Sequence, residues 1–218
     1  MNDEIRVLVV DDHALLRTTL VERLRREPGL SVVGTANNAD QAIERVMECV
    51  PDIILLDVDM PGLSSFEAAR TIAWMRPESR IIFVSGFFHD RYIEQALEVK
   101  ARGYVTKIEP PETIIEAVRE VAAGGVYFSG DVRSRIVIEP GGTRLAEEAT
   151  SRASTLTVRE LEVLRYIARG LSKKEIANIM HISVKTVDRH SANLMTKLAI
   201  HDRVELARFA IREGLAEA

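Results

Sequence analysis

The chain has 218 residues, 46% of them hydrophobic and 28% charged, and Cys49 is its only cysteine. That length accommodates two modest domains, the composition excludes a disordered polyelectrolyte, and a single cysteine excludes an internal disulfide, as expected of a cytoplasmic protein. Residues 1–129 carry 14 Lys and Arg against 21 Asp and Glu, residues 130–154 carry 4 against 4, and residues 155–218 carry 11 against 8. An acidic first part and a basic last part point to two domains with different partners, the second polyanionic. No run approaches a membrane span, and Val7–Val10 is too short and too acidic in its flanks for a signal sequence.

In chain order, Ile5–Val10 is an apolar run ending in Asp11-Asp12 and reads as a first strand. His13–Arg26 places Leu16, Leu20 and Leu24 on one helical face, and Pro28-Gly29 stops it. Leu30–Ala36 is a second strand, and Asp40–Val50 a helix bounded by Pro51. Ile53–Leu56 is continuously apolar, as in a strand buried on both faces, and runs directly into Asp57. A helix follows around Ser65–Met75, then a strand at Ile81–Val84 ending in Ser85-Gly86, a helix from about Asp90 to Val99, and a short strand from Gly103 to Lys107. Pro110-Pro111 opens a fifth helix, which Gly124-Gly125 closes.

Five alternations of strand and helix predict a doubly wound α/β domain, residues 1–129, with a five-stranded parallel sheet. Asp11-Asp12, Asp57, Ser85 and Lys107 then stand at the carboxyl ends of different strands, the edge where such sheets bind ligands. Gathered carboxylates repel one another unless a cation joins them, and hard oxygen donors suit Mg²⁺. Asp57 is positioned to attack phosphorus, with Ser85 and Lys107 to receive phosphoryl oxygens.

Residues 130–154, with Glu139-Pro-Gly-Gly142 and balanced charge, read as a linker with a short helix at Val132–Ile138. From residue 155 to 218 the pattern is all-helical. Thr157 with Glu160 has capping-box spacing, and the first helix ends at Gly170. Ser172–Met180 forms a short helix, His181-Ile182 a tight turn, and Ser183 caps a third helix with Val187, Leu194 and Leu198 inward. Asp202–Glu213 is the fourth. Two helices joined by a tight turn, the second polar on its outer face, match the helix-turn-helix pattern.

At this point the sequence resembles the response regulators of two-component signalling. The resemblance is carried by Val9-Val10-Asp11-Asp12-His13, Leu55-Leu56-Asp57-Val58-Asp59-Met60-Pro61-Gly62, Val84-Ser85-Gly86 and Gly103-Tyr104-Val105-Thr106-Lys107. It implies a receiver domain in which Asp57 accepts a phosphoryl group from a sensor histidine kinase. It also implies Mg²⁺ held by Asp12, Asp57 and the backbone carbonyl of Asp59, with Asp11 acting through water. Ser85 and Tyr104 are the implied switch pair: Ser85 moves toward the phosphoryl group and Tyr104 turns inward, altering a surface at about Asp90–Glu120. Ser85 stands where Thr is common in the family, and Gly86 where Ala is.

Residues 155–214 resemble the LuxR-type helix-turn-helix of the NarL/FixJ subfamily, through Leu156–Leu164, Ser172–Ala177, Ile182–His190 and Arg203–Leu206. The resemblance implies that Val184–Leu198 reads double-stranded DNA and that Asp202–Glu213, through Val204, Ala207, Arg208 and Ile211, supports a homodimer, with RNA polymerase as a further partner. Lys174, Ser183, Lys185, Thr186 and Lys197 suit phosphate contacts, while Arg189 suits guanine and Asn193 adenine. Asp188 departs from the lysine frequent in the family, and we expect it to shape operator choice; an unchanged preferred sequence in Asp188→Lys would refute that. His190 reads as packing. Two rivals stay open: a haloacid-dehalogenase-type phosphatase, because Asp57-Val58-Asp59 mimics its Asp-x-Asp, and a receiver acting only through protein contacts.

Overall fold

From Val7 to Val10 every side chain of the first strand is buried, so its alternate residues need cover on both faces of a sheet. The computed structural model describes residues 4–86, 89–139, 142–145 and 152–216. The chain forms two compact units, residues 1–88 with 95–144, and residues 89–94 with 145–218. In the first, β1 (Ile5–Val10), β2 (Leu30–Ala36), β3 (Ile53–Asp57), β4 (Arg80–Ser85), β5 (Gly103–Thr106) and β6 (Tyr127–Phe128) form one parallel sheet in the order β2-β1-β3-β4-β5-β6. The helices between successive strands are α1 (Ala14–Arg25), α2 (Ala39–Cys49), α3 (Ser65–Met75), α4 (Asp90–Glu98) and α5 (Pro111–Ala122).

Strand alternation divides the core. Val7, Val9, Ile53, Leu55, Ile82, Val84 and Val105 pack with Leu20, Val21 and Leu24 of α1 and with Ile114, Ile115, Val118 and Val121 of α5. On the opposite face, Phe66 of α3 meets Phe83 of β4 with ring centroids 4.9 Å apart. With both faces covered, the polar chain ends of β1, β3, β4 and β5 have one outlet, the carboxyl edge.

The sheet has six strands rather than the expected five. The added β6 is two residues long, pairing Gly103 with Tyr127 and Tyr104 with Phe128. Gly103 permits that approach, since a Cβ there would lie 2.9 Å from the Tyr127 carbonyl oxygen. The helix expected at Val132–Ile138 is also corrected. A single turn, α6 (Gly130–Arg133), gives way to β7 (Ile136–Glu139), which pairs with β8 (Gly142–Leu145). The β-branched run Ile136-Val137-Ile138 favours strand over helix. The linker expectation for residues 140–141 and 146–151 lies outside the described residues.

The second unit contains α7 (Val158–Ala168), α8 (Lys173–Ile179), α9 (Val184–Leu198) and α10 (Arg203–Arg212). Capping boxes at Thr157/Glu160 and Ser172/Glu175 start α7 and α8 by satisfying their free amides. His181, at φ +53°, makes the tight turn between α8 and α9, and the Ser183 side chain accepts from the Thr186 amide to start α9. Leu161, Leu164, Ile176, Val187, Leu194, Leu198, Leu206 and Phe209 are buried. Among the described residues no helix is long and apolar enough to cross a membrane.

Candidate functional site

Asp57 ends β3 and is 1% exposed, so its carboxylate has lost nearly all its water. Its Oδ1 accepts from the Asp59 amide at 3.1 Å, and its Oδ2 lies 2.7 Å from Lys107 Nζ. The same ammonium lies 2.8 Å from Asp11 Oδ2. Lys107 reaches both because β5 hands its chain to the edge directly beside β4: the Lys107 amide donates to the Ser85 carbonyl at 2.7 Å. Asp11, Asp12, His13 and Asp57 each present one potential ligand atom, all within 4.8 Å of one another. Asp12 Oδ1 is buried and lacks a hydrogen-bond partner, although His13 Nδ1 stands 2.9 Å away at ion-pair distance.

The electrostatics follow from that crowding. Burial pushes the Asp57 carboxyl up to about 7; Lys107 opposes the shift, while Asp11 and Asp12 add to it. Burial works to lower Lys107, but the charges of Asp57 and Asp11 outweigh it and hold the ammonium above its ordinary value. Burial also raises the Tyr104 phenol, against a hydrogen bond from Ser85 that favours the phenolate. Ser85 and Tyr104 are both fully buried, and the Tyr104 ring lies 6.3 Å from that of Phe83. The two residues implied as a switch pair are therefore joined directly, with the ring already inside.

The structure thus gathers Asp11, Asp12, Asp57, Lys107 and Ser85 as the sequence predicts. Asp59 is different: its backbone amide serves Asp57, while its carboxylate is not in the acidic cluster. His13 was not singled out from the sequence, and its adjacency to Asp12 at the strand end was the available signal.

On α9, Lys185, Asp188, Arg189 and Asn193 are exposed and Thr186 is half-buried, opposite the buried Val187, Ser191, Leu194 and Leu198. Ser183 and Thr186 share a 2.8 Å hydroxyl contact at the start of the helix. Lys174 on α8 is exposed. Two contacts were not anticipated. Asp188 Oδ1 pairs with Lys173 Nζ at 2.5 Å, and Lys197 Nζ lies 2.7 Å from Glu160 Oε2, tying α9 to α7. His190 is half-buried, and burial, followed by Arg189, depresses its pKa. On α10, Val204, Arg208 and Ile211 are exposed and Ala207 half-buried, turned away from buried Leu206 and Phe209.

Comparison with known proteins finds a family match for each half of the chain. Residues 7–119 match the response regulator receiver domain family, and residues 154–210 match the bacterial regulatory proteins of the luxR family. The chain is 34% identical over 216 residues to the oxygen regulatory protein NreC of Staphylococcus aureus (strain JH9), covering 98% of this chain and 100% of that one. A LuxR-family two-component response regulator from Aurantimonas sp. SI85-9A1 shares 31% identity at a TM-score of 0.58, over 60% of this chain and 94% of that one. The RcsB response regulator of Salmonella typhimurium superposes with a TM-score of 0.73 at 20% identity, over 97% of this chain and 98% of that one, a likeness of fold. With an acidic edge closed by Lys107 in one unit and an exposed polar helix after a tight turn in the other, the chain belongs to the two-component response regulators that join a receiver to a LuxR-type DNA-binding domain and regulate transcription.

Proposed function

We propose that Asp57 accepts a phosphoryl group from a sensor histidine kinase and that its modification controls DNA binding by the helix-turn-helix. The observation that carries this reading is the buried Asp57 carboxylate at a strand edge, ion-paired to Lys107 beside the buried Asp12 Oδ1, which accepts no hydrogen bond. That oxygen and the cluster around it fit a divalent cation such as Mg²⁺, which Asp12 and Asp57 would hold together with the Asp59 backbone carbonyl, Asp11 assisting. When bound, such an ion supplies positive charge against the acidic cluster and the incoming phosphoryl oxygens.

An Asp57 carboxylate oxygen attacks phosphorus of the kinase's phosphohistidine. The O–P bond forms as the P–N bond breaks, and the electron pair returns to the imidazole nitrogen. Lys107 already lies at ion-pair distance from Asp57 and needs no long movement to meet a phosphoryl oxygen. The Ser85 hydroxyl, engaged with Tyr104, is the donor that the new oxygens would recruit. Adding about −1.5 to −2 charges there shifts Ser85 from the phenol to the phosphoryl group, coupling the modification to Tyr104. Loss of the phosphoryl group is then hydrolysis at Asp57 itself, with no turnover of separate substrates, unlike a phosphatase of the Asp-x-Asp type.

Incubating the full chain with acetyl phosphate and Mg²⁺ is expected to add one phosphoryl mass in wild type and none in Asp57→Asn, read by intact-mass spectrometry. An unchanged wild-type mass, or equal labelling of the variant, would refute the assignment.

The output is a homodimer on two DNA half-sites, in contact with RNA polymerase where it activates. Two solved neighbours of the fold are DNA complexes, RcsB with DNA and RcsB on the rprA promoter with beryllofluoride. Exposed Val204, which is 62% accessible, and Ile211 on α10 suit the protein–protein contact, with Ala207 and Arg208 between them. Lys174, Lys185, Ser183 and Thr186 suit the phosphate backbone, and Arg189 and Asn193 the base edges. Asp188 binds Lys173 and so withholds a cation from the backbone. Asp188→Asn should therefore tighten duplex binding at low salt and steepen the slope of log K against log salt by about one unit. An unchanged slope would mean that Lys173 stays off the phosphates.

A further inference from the structure

His13 stands at the first position past Asp12, as the N-cap of α1, yet its side chain makes no capping hydrogen bond. Its backbone amide donates to Asp11 Oδ1 at 2.8 Å, which fixes the loop, and its Nδ1 faces Asp12 Oδ1 at 2.9 Å and Asp11 Oδ1 at 3.5 Å. The Asp12 oxygen that it faces at ion-pair distance is buried. One imidazole nitrogen lies within 4.8 Å of the ligand atoms of Asp11, Asp12 and Asp57, so the ring stands among the carboxylates that would surround one ion.

From this geometry we infer that His13 supplies a nitrogen ligand to the divalent ion at the phosphoacceptor site. The site therefore discriminates in favour of Mn²⁺ and the later first-row ions over Mg²⁺. The inference rests on the reading of Asp12 and Asp57 as ion-holding carboxylates and adds a donor to it. A purely oxygen-lined site suits hard Mg²⁺, which keeps its waters. One imidazole changes the balance, because nitrogen donors raise affinity along the Irving–Williams order while adding little for Mg²⁺. His13 is 63% exposed at its side chain, so a bound ion at this rim stays open to an incoming phosphoryl donor, and replacing the imidazole removes no core packing.

The test uses Mn²⁺ itself on the full chain. Pulsed electron paramagnetic resonance of bound Mn²⁺ should show a histidine-nitrogen coupling in wild type that disappears in His13→Ala. Titration of the free Mn²⁺ signal should show affinity falling roughly tenfold or more in that variant, while the Mg²⁺ affinity obtained by competition changes less than about twofold. Mn²⁺ that binds without nitrogen coupling, is released by Asp12→Ala and is indifferent to His13→Ala would overturn the His13 assignment and leave the phosphoacceptor reading standing. Mn²⁺ that fails to bind, or binds regardless of Asp12→Ala, would overturn both.

Discussion

Asp57→Asn should make the chain more stable than wild type at pH 8, by on the order of 2–4 kcal/mol, with the difference vanishing near pH 4. The wild-type carboxyl titrates at about 7 in the folded chain, against an ordinary value of 3.8, because it is buried beside Asp11 and Asp12. Between those values the folded state holds a proton that the unfolded state has released. Stability therefore falls as pH rises from about 4 to 7 and then levels off. Lys107 contributes oppositely, but only at higher pH: its raised value adds stability that is complete below its ordinary value of 10.5 and lost as pH passes its folded value. The amide carries no charge and keeps the volume, so between pH 4 and 8, below the range where Lys107 titrates, the difference between the two proteins reports the Asp57 carboxyl and the charges coupled to it. Urea denaturation at several pH values, in buffer with a chelator, measures it. A constant difference from pH 4 to 8 would show that Asp57 is not under charge stress. A stressed acceptor is consistent with function, since a cation or an esterifying phosphoryl group removes part of the penalty and leaves the active site poised between two arrangements.

Glu160→Ala should cost about 2–4 kcal/mol in the C-terminal unit, and Lys197→Met less, because the ammonium is about one-third exposed and partly screened. Glu160 is 3% exposed and performs two tasks: it accepts the Thr157 amide at 2.8 Å in the capping box of α7 and pairs with Lys197 across to α9. Burial acts to raise its pKa, but the Lys197 and Thr157 hydrogen bonds outweigh it and hold the carboxyl below its ordinary value. The stability so gained is present above the ordinary value of 4.5 and lost as pH falls through the folded value. The two substitutions also separate packing from DNA contact. If Lys197 serves Glu160, Lys197→Met lowers the unfolding free energy and leaves the salt slope of duplex binding unchanged. If it serves a phosphate, stability holds and the slope drops by about one unit.

The strands that carry the chemistry were legible because each is a buried, mostly apolar run that ends in polar residues at the edge: Leu56 into Asp57, Val84 into Ser85, Val105 into Thr106-Lys107. The capping box at Thr157 was equally legible, being local side chain-to-backbone chemistry, and Ser172 with Glu175 repeats its spacing although it was not singled out. What sequence spacing cannot show is a partner distant in the chain. Lys197 occupies a polar position of α9 and reads as outward, yet its flexible stem carries the ammonium to Glu160, 37 residues away. Lys173 and Asp188 meet across the tight turn at His181 that joins α8 to α9. Strand β6 was missed because two residues hold no periodicity; its signal is Gly103 on the neighbouring strand. The β7–β8 pair, by contrast, had a readable signal in Ile136-Val137-Ile138, which the Pro-Gly-Gly that follows obscured.

The central claim is that chemistry at Asp57 controls the helix-turn-helix. Its most direct test is binding of the full chain to duplex DNA fragments, selected from a random pool, with and without beryllofluoride and Mg²⁺ as a phosphoryl mimic, at one fixed salt concentration. Tighter binding to a two-half-site sequence in the presence of the mimic, absent in Asp57→Asn, is the predicted result. Equal specific binding in both states would contradict it, and control would then reside in partner recruitment rather than in DNA affinity.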